Sequence, residues 1–193
     1  MAWLEEKTIN LADGREVTIR TAMPADARAL RAFHLEAFRE SRFLIHRPEE
    51  YKRSVRDEKR ILKRKLASSD ELYLLAVANG GLTGVLTSQV DHRRRVRHTV
   101  RFGIAVHPDW QGKRLGEAVL RIFIGWAASV DSLQRIELNV TDGNEAAIRL
   151  YEKLGFELEG RRLKAIQLEE GNYRDDLIMC RYLQRPMAPL DEV

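Results

Sequence analysis

The sequence predicts an α/β domain, of the α+β kind with a mixed sheet, and three observations predict it. Short runs of alternating apolar and polar residues are interleaved with stretches whose apolar residues recur at helical spacing. Asp13-Gly14, Asn79-Gly80-Gly81 and residues 169–172 separate pairs of such runs and read as hairpin turns, which make antiparallel neighbours. From residue 99 to residue 140 a strand, a long helix and a strand follow one another, the order of a parallel βαβ unit.

Taken along the chain, residues 7–11 and 16–20 flank the Asp13-Gly14 turn as a first hairpin. Pro24 then opens a helix, where its missing N–H costs little, and Leu30, Phe33, Ala37 and Phe38 are expected to face the core. A polar loop over 42–48 leads to a second helix over 49–67. Its apolar face is Tyr51, Val55, Ile61, Leu62 and Leu66, and its cations alternate with Glu49, Glu50, Asp57 and Glu58 as on an exposed face. Residues 71–78 and 82–90 form the next hairpin, and 99–106 a further strand that His107-Pro108-Asp109 stops. From about Lys113 a helix places Leu115, Val119, Ile122, Phe123 and Trp126 on one stripe. A strand over 135–140, a helix over 144–154, a strand start at 156–159 and a closing hairpin over 164–183 complete the order. The tail 184–193, with two prolines, is expected to fray.

The 193 residues fit one domain over 1–193, with a core at about 17–183 and no linker. A hydrophobic fraction of 44% fills a core, and 32% charged residues describe a soluble surface rather than a disordered chain. The longest nearly apolar stretch, 118–128, is interrupted by Arg121 and is too short to span a bilayer, so no membrane partner is expected. The first residues lack the pattern of a secretion signal, and the one cysteine, Cys180, forms no internal disulfide; both point to the cytoplasm. Cys180 alternates with Ile178 and reads as a small core residue. The net charge of +4 suits an anionic ligand, a nucleic acid or an acidic protein and decides among none of them. Residues 93–98 are basic but carry no interleaved aromatics, so they read as a solvated loop and no nucleic-acid partner is expected. The five histidines show no metal-ligand spacing, and no metal is expected.

Gln111-Gly112-Lys113-Arg114-Leu115-Gly116 joins the strand at 99–106 to the following helix. A helix start leaves backbone N–H groups without partners and carries partial positive charge, so a phosphate there gains several hydrogen bonds. On the residues alone the stretch reads either as such an anion cradle or as a surface turn with a basic rim.

The stretch resembles motif A of the GNAT superfamily of acyl-CoA-dependent N-acetyltransferases, Gln/Arg-x-x-Gly-x-Gly/Ala. Gln111, Leu115 and Gly116 fit, and Val106-His107-Pro108 matches the Val-x-Pro just upstream; Arg114 departs from the usual middle glycine. A second signature, Asn-x-x-Ala-x-x-Leu-Tyr-x-x-x-Gly-Phe, is matched at Asn144, Ala147, Leu150, Tyr151, Gly155 and Phe156. The resemblance implies the GNAT fold: a mixed, mostly antiparallel sheet with a parallel, splayed strand pair, flanked by helices. It implies that backbone amides of Gln111, Gly112, Lys113, Arg114, Leu115 and Gly116 bind the pyrophosphate of acetyl-CoA. Ile104, Ala105 and Val106 would pair with the pantetheine arm, and Asn139 and Asn144 would contact the cofactor. Asn144 also reads as a helix cap, and Asp142 with Glu145 as a capping box. Tyr151 shares a helix face with Ile148 and Leu154, as a core tyrosine would; the resemblance makes it the acid that protonates the departing thiolate. Gly171-Asn172-Tyr173-Arg174-Asp175 resembles the Gly-x-Tyr-x-Asp of one GNAT branch and would bring Tyr173 and Asp175 near the acceptor, while a hairpin turn with a packed tyrosine is the other reading.

Many GNAT enzymes carry a glutamate on the strand before motif A as the general base. Here residues 100–106 contain no carboxylate, which leaves Glu137, Asp142, His107, Asp175 and Asp176 as candidates. Deprotonating an alkylamine of pKa ~10.4 costs about 4.6 kcal/mol at pH 7, against about 1.4 for an α-amine near ~8. A site without an evident base therefore leans towards α-amines. The expected activity is transfer of the acetyl group of acetyl-CoA to a primary amine of a small molecule or amino acid, with a homodimer possible. Protein N-termini are the alternative acceptors, and a non-catalytic acyl-CoA sensor is the alternative of another class.

Overall fold

The computed structural model describes residues 3–183, and the tail expected to fray lies outside them. In order the elements are β1 (Lys7–Asn10), β2 (Glu16–Thr21), α1 (Ala27–Glu40), α2 (Val55–Ala67), β3 (Tyr73–Ala78) and β4 (Gly81–Val90). They continue with β5 (Thr99–Val106), α3 (Leu115–Ser129), β6 (Arg135–Thr141), α4 (Glu145–Lys153), β7 (Glu157–Glu169) and β8 (Asn172–Tyr182). The strands form one eight-stranded sheet in the order β1-β2-β3-β4-β5-β6-β8-β7. Every neighbour is antiparallel except β5 and β6, which are parallel as the βαβ reading expects.

Helices cover both faces of the sheet, and β3 shows the division. Leu74 and Ala76 pack with Leu115, Val119, Phe123 and Tyr151 of α3 and α4. Tyr73 and Leu75 point the other way and pack with Leu30, Phe33 and Leu62 of α1 and α2. A strand buried on both faces needs an unbroken apolar run, which is why Tyr73–Ala78 reads YLLAVA.

Four boundaries differ from the sequence reading, each for a local reason. The second helix starts at Val55, not at 49: Ser54 accepts from the Asp57 N–H at 3.2 Å while the Asp57 carboxylate accepts from the Ser54 N–H at 3.0 Å, a reciprocal cap. The third helix starts at Leu115 rather than Lys113, because Arg114 is left-handed at φ 66. Strand β3 begins at Tyr73 rather than 71, since the Leu72 N–H is taken by Ser88 Oγ and the Glu71 carboxylate accepts from the Val90 N–H. Strand β7 is continuous where a break was expected, its register shifts absorbing the residues that interrupt the alternation.

The face of α2 is less apolar than its sequence stripe. Glu58 and Lys65 are buried beside Leu62; Lys65 is ion-paired, and Glu58 is partnered through Oε1 while its buried Oε2 has no hydrogen bond among the described residues. Lys65 Nζ lies 3.1 Å from Glu71 Oε2 and also donates to the Ser88 carbonyl. Glu58 accepts from the Tyr51 hydroxyl, which is 2.6 Å from His34 Nδ1, and His34 Nε2 is 3.2 Å from the Tyr73 hydroxyl. The single Tyr51 proton goes to Glu58, so His34 Nδ1–H donates to Tyr51 and its Nε2 accepts from Tyr73. Burial pushes the His34 imidazole down to about 4. Phe38, expected in the core, is instead half-buried and stacks between His34 and His46.

Candidate active site

The strand pair β5–β6 is where the sheet opens. Thr99, Val100 and Arg101 pair with Arg135, Ile136 and Glu137, and there the pairing stops. Beyond it β5 stays bonded to β4 as far as Val106, and β6 stays bonded to β8 as far as Thr141. The two strands therefore diverge, leaving a V-shaped gap with Ile104, Ala105 and Val106 on one wall and Asn139 on the other. Asn139 donates to Asp176 Oδ2 at 2.8 Å, which turns it towards β8.

At the open end of β5 the chain turns sharply. Pro108–Trp110 is a single helical turn, and side chains close the loop after it. Gln111 Nε2 donates to the Val106 carbonyl at 2.9 Å. The Asp109 carbonyl accepts from Lys113 Nζ at 2.9 Å and from Arg15 at 3.1 Å, while the Arg15 guanidinium lies 3.8 Å over the Trp110 ring. Gly112 and Arg114 are both left-handed, at φ 69 and 66. Alternation of this kind turns successive N–H groups inward as an anion-binding concavity. The N–H groups of Gly112, Lys113, Arg114, Leu115 and Gly116 find no partner among the described residues. A Cβ on Gly116 would only touch Leu150 and Val106 at ordinary distances, so packing alone does not demand glycine there.

Helix α4 borders the other side of the gap. Its cap is Asn144, whose Oδ1 accepts from the Ala147 N–H at 3.4 Å; the expected Asp142–Glu145 box does not form, because Asp142 is bridged to Arg161 at 2.6 Å. Tyr151 is 7% exposed and packs edge-on against Phe102, at 6.0 Å between ring centroids, and against Phe156. Phe102 is the first residue past the last β5–β6 pair, so the tyrosine ring sits at the base of the V. Its hydroxyl makes no hydrogen bond within the described residues, and burial pushes its phenol up to about 12.

The candidate bases are dispersed. Glu137 is bonded to Arg101 at 2.6 Å where the strands part, and buried Asp176 lies between Asn139 and Arg162. Asp175 accepts from the Lys164 N–H and from Arg161, and those two bonds hold it below the usual carboxylate range. His107 turns away towards Glu36, at 3.3 Å. Tyr173 is half exposed and, with Asp175, lines a cavity of about 400 Å3 at the β7–β8 turn rather than packing as a core residue. Cys180 is buried, as expected, and burial pushes its thiol up.

A larger cavity, of about 610 Å3, was not anticipated from the sequence. The loop between α1 and α2, with Arg42, His46 and Arg47, faces Ile166, Leu168 and Arg174 of the β7–β8 hairpin across it. Phe43 ties that loop to the end of β6, its carbonyl accepting from Thr141 Oγ1 at 3.4 Å. The sequence carried one signal, arginines in an interhelical loop, and nothing that paired them with Arg174.

Comparison with known proteins places this geometry. The model of the acetyltransferase (GNAT) family matches residues 28–156. The chain is 31% identical over 170 residues to the L-amino acid N-acetyltransferase AaaT of Escherichia coli, covering 86% of this chain and 98% of that one. It is also 31% identical over 108 residues to the spermidine N(1)-acetyltransferase of Escherichia coli, covering 56% of this chain and 55% of the relative. Among solved structures, an acetyltransferase of the GNAT family from Streptococcus pneumoniae superposes with a TM-score of 0.84 at 29% identity, over 87% of this chain and 99% of that one. A splayed parallel pair, an open run of N–H groups at one end and these matches over most of the length agree: the chain belongs to the GNAT family of acetyltransferases.

Proposed function

We propose that the chain moves the acetyl group of acetyl-CoA to a primary amine of a small molecule or amino acid by direct attack, with Tyr151 as the general acid. The observation that carries the reading is the end of β5–β6 pairing at Arg101–Glu137, with N–H groups at the mouth of the gap and the Tyr151 hydroxyl at its base that find no partner among the described residues. Acetyl-CoA supplies an activated thioester. Gln111 to Gly116 hold its pyrophosphate, with Arg114 contributing its N–H, and Asn139 and Asn144 line its path. Ile104, Ala105 and Val106 offer backbone groups to its amide arm in place of the missing β6 ladder.

A C–N bond forms, the C–S bond breaks, and the amine gives up its proton to solvent. Tyr151 returns one to the thiolate. A phenol at about 12 is a weak acid towards a thiol of reference pKa ~8.5. The burial that raises the phenol also destabilises a thiolate beside it, which narrows the difference. Tyr173 and Asp175 stand on the acceptor side. With no carboxylate on β5, acceptors with the lower amine pKa are favoured, meaning α-amines.

The test is thiol release from acetyl-CoA across amino acids, polyamines, aminoglycosides and N-terminal peptides. Turnover with α-amino acids is expected. A preference for polyamines in kcat/KM overturns the α-amine assignment, and cofactor binding without turnover on any class replaces the enzyme by a sensor.

A further inference from the structure

The larger cavity has a distinct charge. Arg42, Arg47 and Arg174 line it, and its carboxylate, Asp142, is already bridged by Arg161 at 2.6 Å. None of the three arginines has a carboxylate within salt-bridge distance among the described residues. The Arg47 guanidinium donates to the Leu168 carbonyl at 3.3 Å, while the Arg47 backbone N–H donates to the Glu50 carboxylate at 2.8 Å; Arg42 lies 5.0 Å from the Phe43 ring, and the Arg174 side chain has no partner among the described residues. The three arginines are exposed and line one cavity with no acid bridged to their guanidiniums among the described residues, so an oxyanion placed there can take charge-assisted hydrogen bonds from them. The apolar part of the wall is Phe38, Ile45 and Ile166, set beside Ser41, His46, Gln167 and Asn172. Thr141, two residues beyond Asn139 on β6, touches the loop that forms the cavity, so the cavity lies at the free end of the gap.

We propose that this cavity takes the carboxylate of the acceptor, held among Arg42, Arg47 and Arg174, and that the acceptor is a free amino acid with an aliphatic side chain. The assignment rests on the acetyltransferase reading and narrows it. A polyamine would bring a second ammonium against three guanidiniums, which costs affinity. A peptide N-terminus has a neutral amide where the free amino acid has its carboxylate, and gains nothing from the cluster.

The experiment compares L-leucine and L-methionine with their α-amides and with spermidine, using the full-length wild type and Arg174→Gln. The expected result is a kcat/KM at least tenfold higher for each amino acid than for its amide or for spermidine. Arg174→Gln should raise KM for leucine about tenfold and leave KM for leucinamide and acetyl-CoA unchanged. Equal use of the amides, better use of spermidine, or an unaltered leucine KM in the variant overturns the assignment. If no amine is turned over, calorimetry with N-acetyl-L-leucine separates the two claims. Binding that Arg174→Gln removes and that N-acetyl-L-leucinamide lacks upholds the carboxylate site while the acetyltransferase reading falls; no binding overturns both.

Discussion

Arg114 is the residue at which sequence and backbone meet most sharply. In the sequence it is a departure from a glycine; in the structure it holds the left-handed conformation, φ 66, that a glycine would adopt freely. The left-handed region costs an L residue about 1–2 kcal/mol, and glycine gives back roughly 0.5–1 in chain entropy. Arg114→Gly should therefore leave the protein as stable or more stable, by up to ~1 kcal/mol in denaturant titrations. Because the N–H remains, coenzyme A affinity should stay within a few-fold; a loss of tenfold or more would mean that the guanidinium grips a phosphate. Asn144 makes a simpler case. Its Oδ1 caps α4, so Asn144→Ala should cost about 1 kcal/mol, seen as a lower Tm. Both residues were identifiable in the sequence, but neither φ nor the choice among competing caps was, since each depends on how the chain enters the helix.

Helix α2 shows what periodicity reads and what it misses. The spacing gave a helix and Leu62 as its core residue, yet Glu58 and Lys65 are also buried. Hydropathy places charged side chains outside, and their partners elsewhere in the chain, Tyr51 for Glu58 and Glu71 with the Ser88 carbonyl for Lys65, make burial tolerable. The same network fixes His34 as a neutral imidazole on α1. Its folded pKa lies at about 4, below ~6.5 for an unfolded histidine, so the unfolded chain takes up the proton first. Stability from this group is full above pH 6.5 and is lost as pH falls towards 4, about 3 kcal/mol by pH 4. In denaturant titrations between pH 7 and 4, His34→Gln should show a decline smaller by that amount; an identical decline would remove the histidine from the account.

For the whole molecule, the hairpin turns and the strand–helix–strand run were enough to give a mixed sheet with one parallel pair. The position of the gap was legible only through the resemblance, because the pairing ends at Arg101–Glu137 with no marker residue. The cavity between the interhelical loop and the last hairpin was not legible at all. It joins Arg47 to Leu168, 121 positions apart, and local spacing carries no information across that distance. What unites the molecule is the placing of an N–H-lined loop at one end of the gap and Tyr151 at its base. The tyrosine hydroxyl has no hydrogen-bond partner among the described residues, so Tyr151→Phe removes a proton donor without breaking a hydrogen bond seen there.

Amine-dependent thiol release from acetyl-CoA by wild type and Tyr151→Phe, measured beside the dissociation constant of coenzyme A and the Tm of each, tests this most directly. The prediction is a kcat lower by about 100-fold or more, the scale of general acid catalysis, with affinity within a few-fold and Tm unchanged. A variant that turns over at the wild-type rate would contradict it.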